Sequence, residues 1–369
     1  MTNAGANGAD DFRAKSSIGV GAGGLVLRTR DVEVPRMPGM RRAWQVIYTT
    51  KTAFGIPVPA SGIVLEPAER ADSMSNPPLV VYCPPFHGLG GARTAPSQLL
   101  VEGREPDARS LSAALVQGWS VAVPDGVGLG IDGAGPHHFL AIKSGAHATL
   151  DLAKAVVSQP AGSYSQTPVA VWGYADGGRT AVGAAEWQSS YAPELDLRAV
   201  AAGAVIRDPG ALIADLDGGP WSGLGFAGMV GLASAYTHLP ADHLLTDAGA
   251  RAAEEASEFD LATLLVEFLS PLSQWCERPD PWNDPVWRHI LAEEVLGARK
   301  PSVPVHLYHG RLDALVPIKS GRDLVAAYTA RKAAVSWSEF DVPHLGAADL
   351  GVPEVLTTFR QGFARPSGA

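Results

Sequence analysis

Val171-Trp172-Gly173-Tyr174-Ala175-Asp176-Gly177-Gly178 decides how this 369-residue chain reads. The stretch is G-x-S-x-G with alanine at its centre. In that pattern a sharp strand-to-helix turn holds a serine hydroxyl above an α/β sheet. The flanks must be small because the turn is tight, and Gly173 and Gly177 occupy them. Val169–Trp172 is the expected strand leading in, and Gly178–Trp187 the helix leading out. The turn is present and its nucleophile is not.

Around this turn, short apolar runs recur. Trp44–Lys51 and Ser61–Leu65 predict an early antiparallel pair. Leu79–Cys83, Ser120–Val123, Val169–Trp172, Val200–Ala204 and Val303–Tyr308 read as buried parallel strands. Helices are expected over Asp107–Gln117, Phe139–Ser158 and Arg179–Trp187. The alternation predicts an α/β-hydrolase fold, a mostly parallel sheet flanked by helices. It breaks between residues 206 and 296, where Ala248–Leu269 is the clearest helical stretch. This predicts an inserted helical cap between core segments 31–205 and 297–369. The tryptophans of that insertion are expected to fill its core. Residues 1–30, rich in Gly, Ala and Ser, read as a loose arm. Gly19–Gly24 matches G-x-G-x-x-G, but no strand precedes it and no βαβ unit surrounds it, so it is not read as a dinucleotide fingerprint.

Acyl transfer by serine needs a base, an acid that orients the base, and N–H donors for the oxyanion. In this fold the chain order is Ser, Asp or Glu, His. Asp313 follows the apolar run ending in His309-Gly310 and is the candidate acid; the plainer reading is a helix-capping aspartate. His344, in Val342-Pro343-His344-Leu345-Gly346, is the candidate base. Of ten histidines it alone combines the right order with the right loop. The Asp176 amide is one expected oxyanion donor. The others are Gly88 and Leu89, on the loop after Leu79–Cys83. Asp176 is not read as the nucleophile. Centring the turn on it would place Tyr174 at a flank that must be small.

The composition is 46% hydrophobic and 18% charged, that of a globular protein. A formal net charge of −9 gives nucleic acid or anionic membrane no attraction. No window is apolar enough for a membrane span. Cys83 and Cys276 lie in no C-x-x-C pair, so two buried, reduced thiols are expected rather than a disulfide, a metal site or a redox site. No cofactor is called for. The expected partner is a small-molecule ester, and a homodimer is compatible with the sequence. The polar N-terminus does not read as a secretory signal and leads to a cytoplasmic expectation.

Several segments together resemble the secretory lipase family, a branch of the α/β-hydrolases. These are His87-Gly88 with Ala95-Pro96-Ser97, Val123-Pro124-Asp125-Gly126-Val127-Gly128-Leu129-Gly130, Pro136-His137-His138-Phe139-Leu140 with Thr149-Leu150-Asp151, Gly173–Gly178, and Asp208-Pro209 with Tyr236 and Leu239. The resemblance runs from about residue 45 to 365. It implies a serine esterase or lipase with a helical cap and no cofactor, and carries nucleophile, acid and base onto 175, 313 and 344. The chain departs from the family in three ways. Ala175 replaces the serine. Thr94 precedes Ala95 where members usually carry a disulfide cysteine. The secretion signal is missing. The last two suggest an intracellular relative.

Two explanations for Ala175 follow. In the first, an otherwise intact esterase carries an engineered Ser→Ala change, which leaves the chain nearly inert. In the second, the protein is naturally non-hydrolytic: it binds an apolar ligand or does acid–base chemistry with His344. Acyl transfer to an alcohol or amine instead of water stays open within the first.

Overall fold

The computed structural model describes residues 11–15, 21, 23–69, 77–90, 94–158 and 167–365. Strands Val26–Val32 (β1), Met40–Lys51 (β2), Pro57–Pro67 (β3), Leu79–Cys83 (β4), Ser120–Pro124 (β5), Val169–Tyr174 (β6), Leu197–Gly203 (β7), Val305–Gly310 (β8) and Val335–Phe340 (β9) form one sheet. Its order is β1-β2-β3-β5-β4-β6-β7-β8-β9. β1 through β3 and the β3–β5 pairing are antiparallel; from β5 to β9 all neighbours are parallel. This is the α/β-hydrolase arrangement read from the sequence.

The central strands are buried on both faces, and period-two alternation sends their side chains to two different cores. Leu79, Val81, Val169 and Val171 pack under helices Ile142–Val157 (α3), Asp176–Tyr191 (α4) and Ile318–Ala330 (α10). Val80, Tyr82, Ala170 and Trp172 pack on the other face, under Ala108–Val116 (α2) and His344–Phe363 (α11). A short helix, Pro96–Val101 (α1), precedes α2. Two segments singled out in the sequence meet here. Asp125 accepts hydrogen bonds from the Ser97 amide (2.6 Å) and hydroxyl (2.7 Å), which ties the Ala95-Pro96-Ser97 turn to the end of β5.

Between β7 and β8 the chain forms helices Pro209–Leu216 (α5), Ser222–Ala235 (α6), Asp247–Ala256 (α7), Leu261–Glu267 (α8) and Pro285–Glu293 (α9). They share a third apolar core, in which Trp287 is buried and Trp221, Trp275 and Trp282 are partly so. Arg179 of α4, wholly buried, anchors this insertion. It pairs with Glu294 at 3.0 Å and donates to the carbonyls of Leu140 (3.1 Å) and Ile206 (3.0 Å). Glu294 also accepts from the Ile142 amide and the Tyr236 hydroxyl. Removing one partner leaves the other charge buried and unpaired. Arg179→Met is therefore expected to cost about 3–5 kcal/mol in urea unfolding, with part recovered by adding Glu294→Gln. A loss below about 1 kcal/mol would contradict the pairing as an anchor.

Two sequence expectations are corrected. The arm does not run to residue 30: Val26–Val32 pairs with β2, and Arg28 donates to the Phe12 and Ala14 carbonyls. Its alternating exposure lets it serve as an edge strand despite the Gly-rich residues before it. The single helix over Ala248–Leu269 is two, α7 and α8. Asp260 breaks it by capping α8 through the Thr263 amide (2.8 Å), while its backbone bridges Gly88. Of the G-x-G-x-x-G run, Gly19, Val20 and Ala22 lie outside the described residues, and Gly24 donates to the Thr49 carbonyl ahead of β1. Among the described residues no helix is long and apolar enough to cross a membrane.

Candidate active site

Ala175 has φ 52° and ψ −115°, a left-handed conformation that a residue with a Cβ adopts only under constraint. The constraint is visible. Its amide donates to the Gly203 carbonyl of β7, and its carbonyl accepts the first helical bond from Arg179, each at 2.9 Å. A Cβ at Gly173 would lie 2.1 Å from the Gly177 carbonyl oxygen, and one at Gly177 would lie 1.9 Å from that of Cys83. Both glycines are required by close backbone approach. The turn that would present a nucleophile is built in full, at a cost of about 1–3 kcal/mol in backbone strain.

Asp313 and His344 meet, as the chain order predicts. His344 Nδ1 lies 2.6 Å from Asp313 Oδ2. The carboxylate can only accept, so Nδ1 carries the proton and Nε2 is left basic. The Asp313 side chain is fully buried; its Oδ1 accepts the Leu315 and Val316 amides, each at 2.9 Å. His309, which the sequence reading used only as context, is a further member. Its Nε2 faces the Val316 carbonyl (2.9 Å) and Asp313 Oδ2 (3.3 Å), both acceptors, so that nitrogen is protonated. Burial opposes ionisation of Asp313, but hydrogen bonds from His309, His344 and the Val316 amide outweigh it. They hold the carboxyl well below the usual carboxylate range. Tyr174, beside Ala175, donates its hydroxyl to the His344 carbonyl, and its ring lies 5.1 Å from the imidazole. That contact fixes the start of α11 to the end of β6. The sequence signal for His309 was its position at the end of β8, four residues before the acid.

The oxyanion side is only partly as expected. Asp176 opens α4, where its amide is one of the unpaired donors of a helix N-terminus. Gly88 has φ +145°, and a Cβ there would meet Asp260 Cα at 2.6 Å. Leu89 is a correction. Its amide donates to the Phe259 carbonyl at 2.9 Å, so the helical insertion occupies this donor. Leu261 donates to the His87 carbonyl on the same bridge (2.8 Å).

The Asp176 side chain lines a cavity of about 50 Å³, walled by Pro84, Phe86, His137, His138 and Leu140 among others. That volume suits one or two waters. Burial pushes both histidines down to about 4, so they are neutral. It also pushes Asp176 up to about 6, against the pull of Arg179. The folded value lies above the unfolded one of about 3.9, so ionisation penalises the fold as pH rises from about 4 through 6. Asp176→Asn is expected to stabilise the protein by about 3 kcal/mol at pH 8 and hardly at all at pH 4. Urea midpoints at the two pH values check this, and an equal effect at both would contradict it.

Cys83 and Cys276 are free and buried, and burial pushes both thiols up to about 12. Among the described residues no His/Cys/Asp/Glu group is placed to hold a metal ion.

With the geometry in hand, comparison places the chain among known proteins. Residues 95–366 match the secretory lipase family. The chain is 27% identical over 361 residues to a "Probable inactive lipase" of Mycobacterium tuberculosis, covering 92% of this chain and 78% of that one. It is 28% identical to a secreted triacylglycerol lipase of Malassezia globosa, covering 80% and 67%. Its fold superposes on Candida antarctica lipase A in the closed state with a TM-score of 0.84 at 23% identity, over 97% and 87% of the chains. The family and its secreted members point to an extracellular location and overturn the cytoplasmic expectation. The two buried thiols do not argue otherwise, because thiols with such raised values are inert in either compartment. The chain belongs to the secretory lipase family.

Proposed function

We propose that this protein is an ester-binding member of its family whose acid–base pair and nucleophile turn lack the nucleophile oxygen. The observation that carries the reading is the hydrogen-bonded Asp313–His344 pair, tied through Tyr174 to a strained turn that ends in a methyl group. A turn with no duty has little reason to hold a non-glycine residue in this conformation. Leu312 and Leu345 flank the acid and the base and are 63% and 79% exposed, an apolar rim suited to an acyl ester. The helical insertion, residues 206–296, acts as the cap. Its Phe259 carbonyl must release the Leu89 amide before that amide can hold an oxyanion.

With serine at 175, His344 Nε2 would take the hydroxyl proton while Oγ attacks the ester carbonyl. Asp313 would stabilise the imidazolium, and the Asp176 and Gly88 amides would face the oxyanion. Water, an alcohol or an amine would then take the acyl group. As the chain stands, para-nitrophenyl butyrate is expected to turn over about 10⁴–10⁶ times more slowly than with serine at 175. Release that depends on His344 without any serine would instead support the second reading, a non-hydrolytic protein using His344 for acid–base chemistry. The Mycobacterium tuberculosis relative, named a probable inactive lipase, is in keeping with a family member that does not hydrolyse esters.

A further inference from the structure

His87 joins two parts of the molecule. Its backbone belongs to the bridge between the loop after β4 and the helical insertion. The His87 carbonyl accepts the Leu261 amide (2.8 Å), and the Leu89 and Gly90 amides donate to the Phe259 carbonyl (2.9 and 3.1 Å). The two backbones are in close contact there: a Cβ at Gly90 would lie 2.3 Å from the Glu258 carbonyl oxygen. The His87 side chain reaches Glu105, on the connection between α1 and α2, with Nε2 3.7 Å from Oε1.

This contact is buried and poor in partners. The side chains are 12% exposed at His87 and 2% at Glu105. Both His87 nitrogens, Glu105 Oε2 and Asp107 Oδ2 are buried with no hydrogen-bond partner among the described residues. Glu105 Oε1 accepts the Asp107 amide (3.2 Å). The charged groups nearby have the wrong sign or are engaged elsewhere. Asp107, just before α2, and Asp125, at the end of β5, both oppose ionisation of Glu105. Tyr82 of β4 acts on Asp107, and His137 acts on His87. Arg104 pairs with Glu102 (2.7 Å) and Arg109 with Asp349 (3.1 Å). Arg36, across the outer groove, bonds neither Glu105 oxygen. An ionised Glu105 therefore has no bonded cation among the described residues, and the pair is stable only while one proton lies between its two side chains. Burial, with Asp107 second, pushes the Glu105 carboxyl up to about 8, and burial pushes His87 down to about 4, so near neutral pH the proton is held.

We propose that the His87–Glu105 pair is a proton-dependent latch that holds the insertion against the loop carrying Gly88 and Leu89. Opening the bridge lets water reach Glu105. Its carboxyl then returns to the ordinary range near 4.3, the O–H bond breaks, and the proton passes to water. Between about pH 4.3 and 8 the closed form thus binds one proton more than the open form. The opening equilibrium should rise about tenfold per pH unit across that interval and level off above it. Raising the pH frees the Leu89 amide. This rests on the insertion acting as a cap, and on no ester chemistry.

The test uses the full chain without any ester. Amide exchange is followed by mass spectrometry on peptides covering 84–90 and 258–262, corrected for the intrinsic pH dependence of exchange. The β8 peptide must stay protected, which marks the opening as local. Opening is expected to rise about a hundredfold from pH 5 to pH 7 in both bridge peptides. Glu105→Gln has the same size and cannot ionise, so it should open equally at the two pH values. Opening that ignores pH overturns the latch, as does opening that occurs only together with β8. A slope that survives Glu105→Gln overturns it too, since the proton would then belong to another group such as Asp176. Should Glu105→Gln not fold, the slope of the parent chain and its levelling above about pH 8 decide. An inactive Ala175→Ser variant would leave this result untouched, so the two readings fail separately.

Discussion

Ala175→Ser is expected to raise kcat/KM on short and medium acyl esters by about 10⁴–10⁶ over the chain as it stands, by analogy with triad deletions in other hydrolases. The size follows from what is already built. The base has its free nitrogen and the acid is locked by four donors from His309, His344, Leu315 and Val316. The turn already holds the strained angles that a nucleophile at 175 would need. On the proposed reading the helical insertion has to release the Leu89 amide, and restoring one oxygen should then restore most of the rate. A gain below about tenfold in kcat/KM on every ester tried, with folding intact, would mean that the oxyanion donors do not assemble.

In the Ala175→Ser background, His344→Ala is expected to return the rate to that of the parent chain. Asp313→Asn is expected to cost about 10⁴ in kcat. The aspartate effect comes from the tautomer. Asp313 accepts from Nδ1; an amide there can donate instead, which would place the imidazole proton on the wrong nitrogen. His309→Phe should be milder, because it removes one of four donors to Asp313 and touches no substrate. Steady-state kcat and kcat/KM of the three variants separate these cases.

Much of the fold was legible because the central strands are buried on both faces. Leu79–Cys83 is an uninterrupted apolar run bounded by proline, and the structure gives it the same limits. The Asp313–His344 contact was legible because the chain order of turn, acid and histidine is a property of the fold. What was missed depends on partners far along the chain. The break at Asp260 is invisible locally, since propensity favours one long helix; the cap and the bridge to Gly88 override it. Leu89 failed as a donor for the same reason, its partner carbonyl arriving from the insertion. Strand β1 was hidden because glycines upstream set the composition of its window. His309 needed three-dimensional knowledge of the turn that folds Asp313 back beneath it. Location was misread because polar first residues say nothing about where a family works.

The central claim is that an acid–base pair and a strained turn suited to acyl transfer stand ready beside a missing oxygen. The most direct measurement is intact-mass analysis of Ala175→Ser after exposure to a fluorophosphonate, a reagent that reports an activated serine. A single adduct on the peptide spanning position 175 is expected, absent from the parent chain and from the variant that also carries His344→Ala. A folded Ala175→Ser protein that takes no adduct, or takes one regardless of His344, would contradict the account.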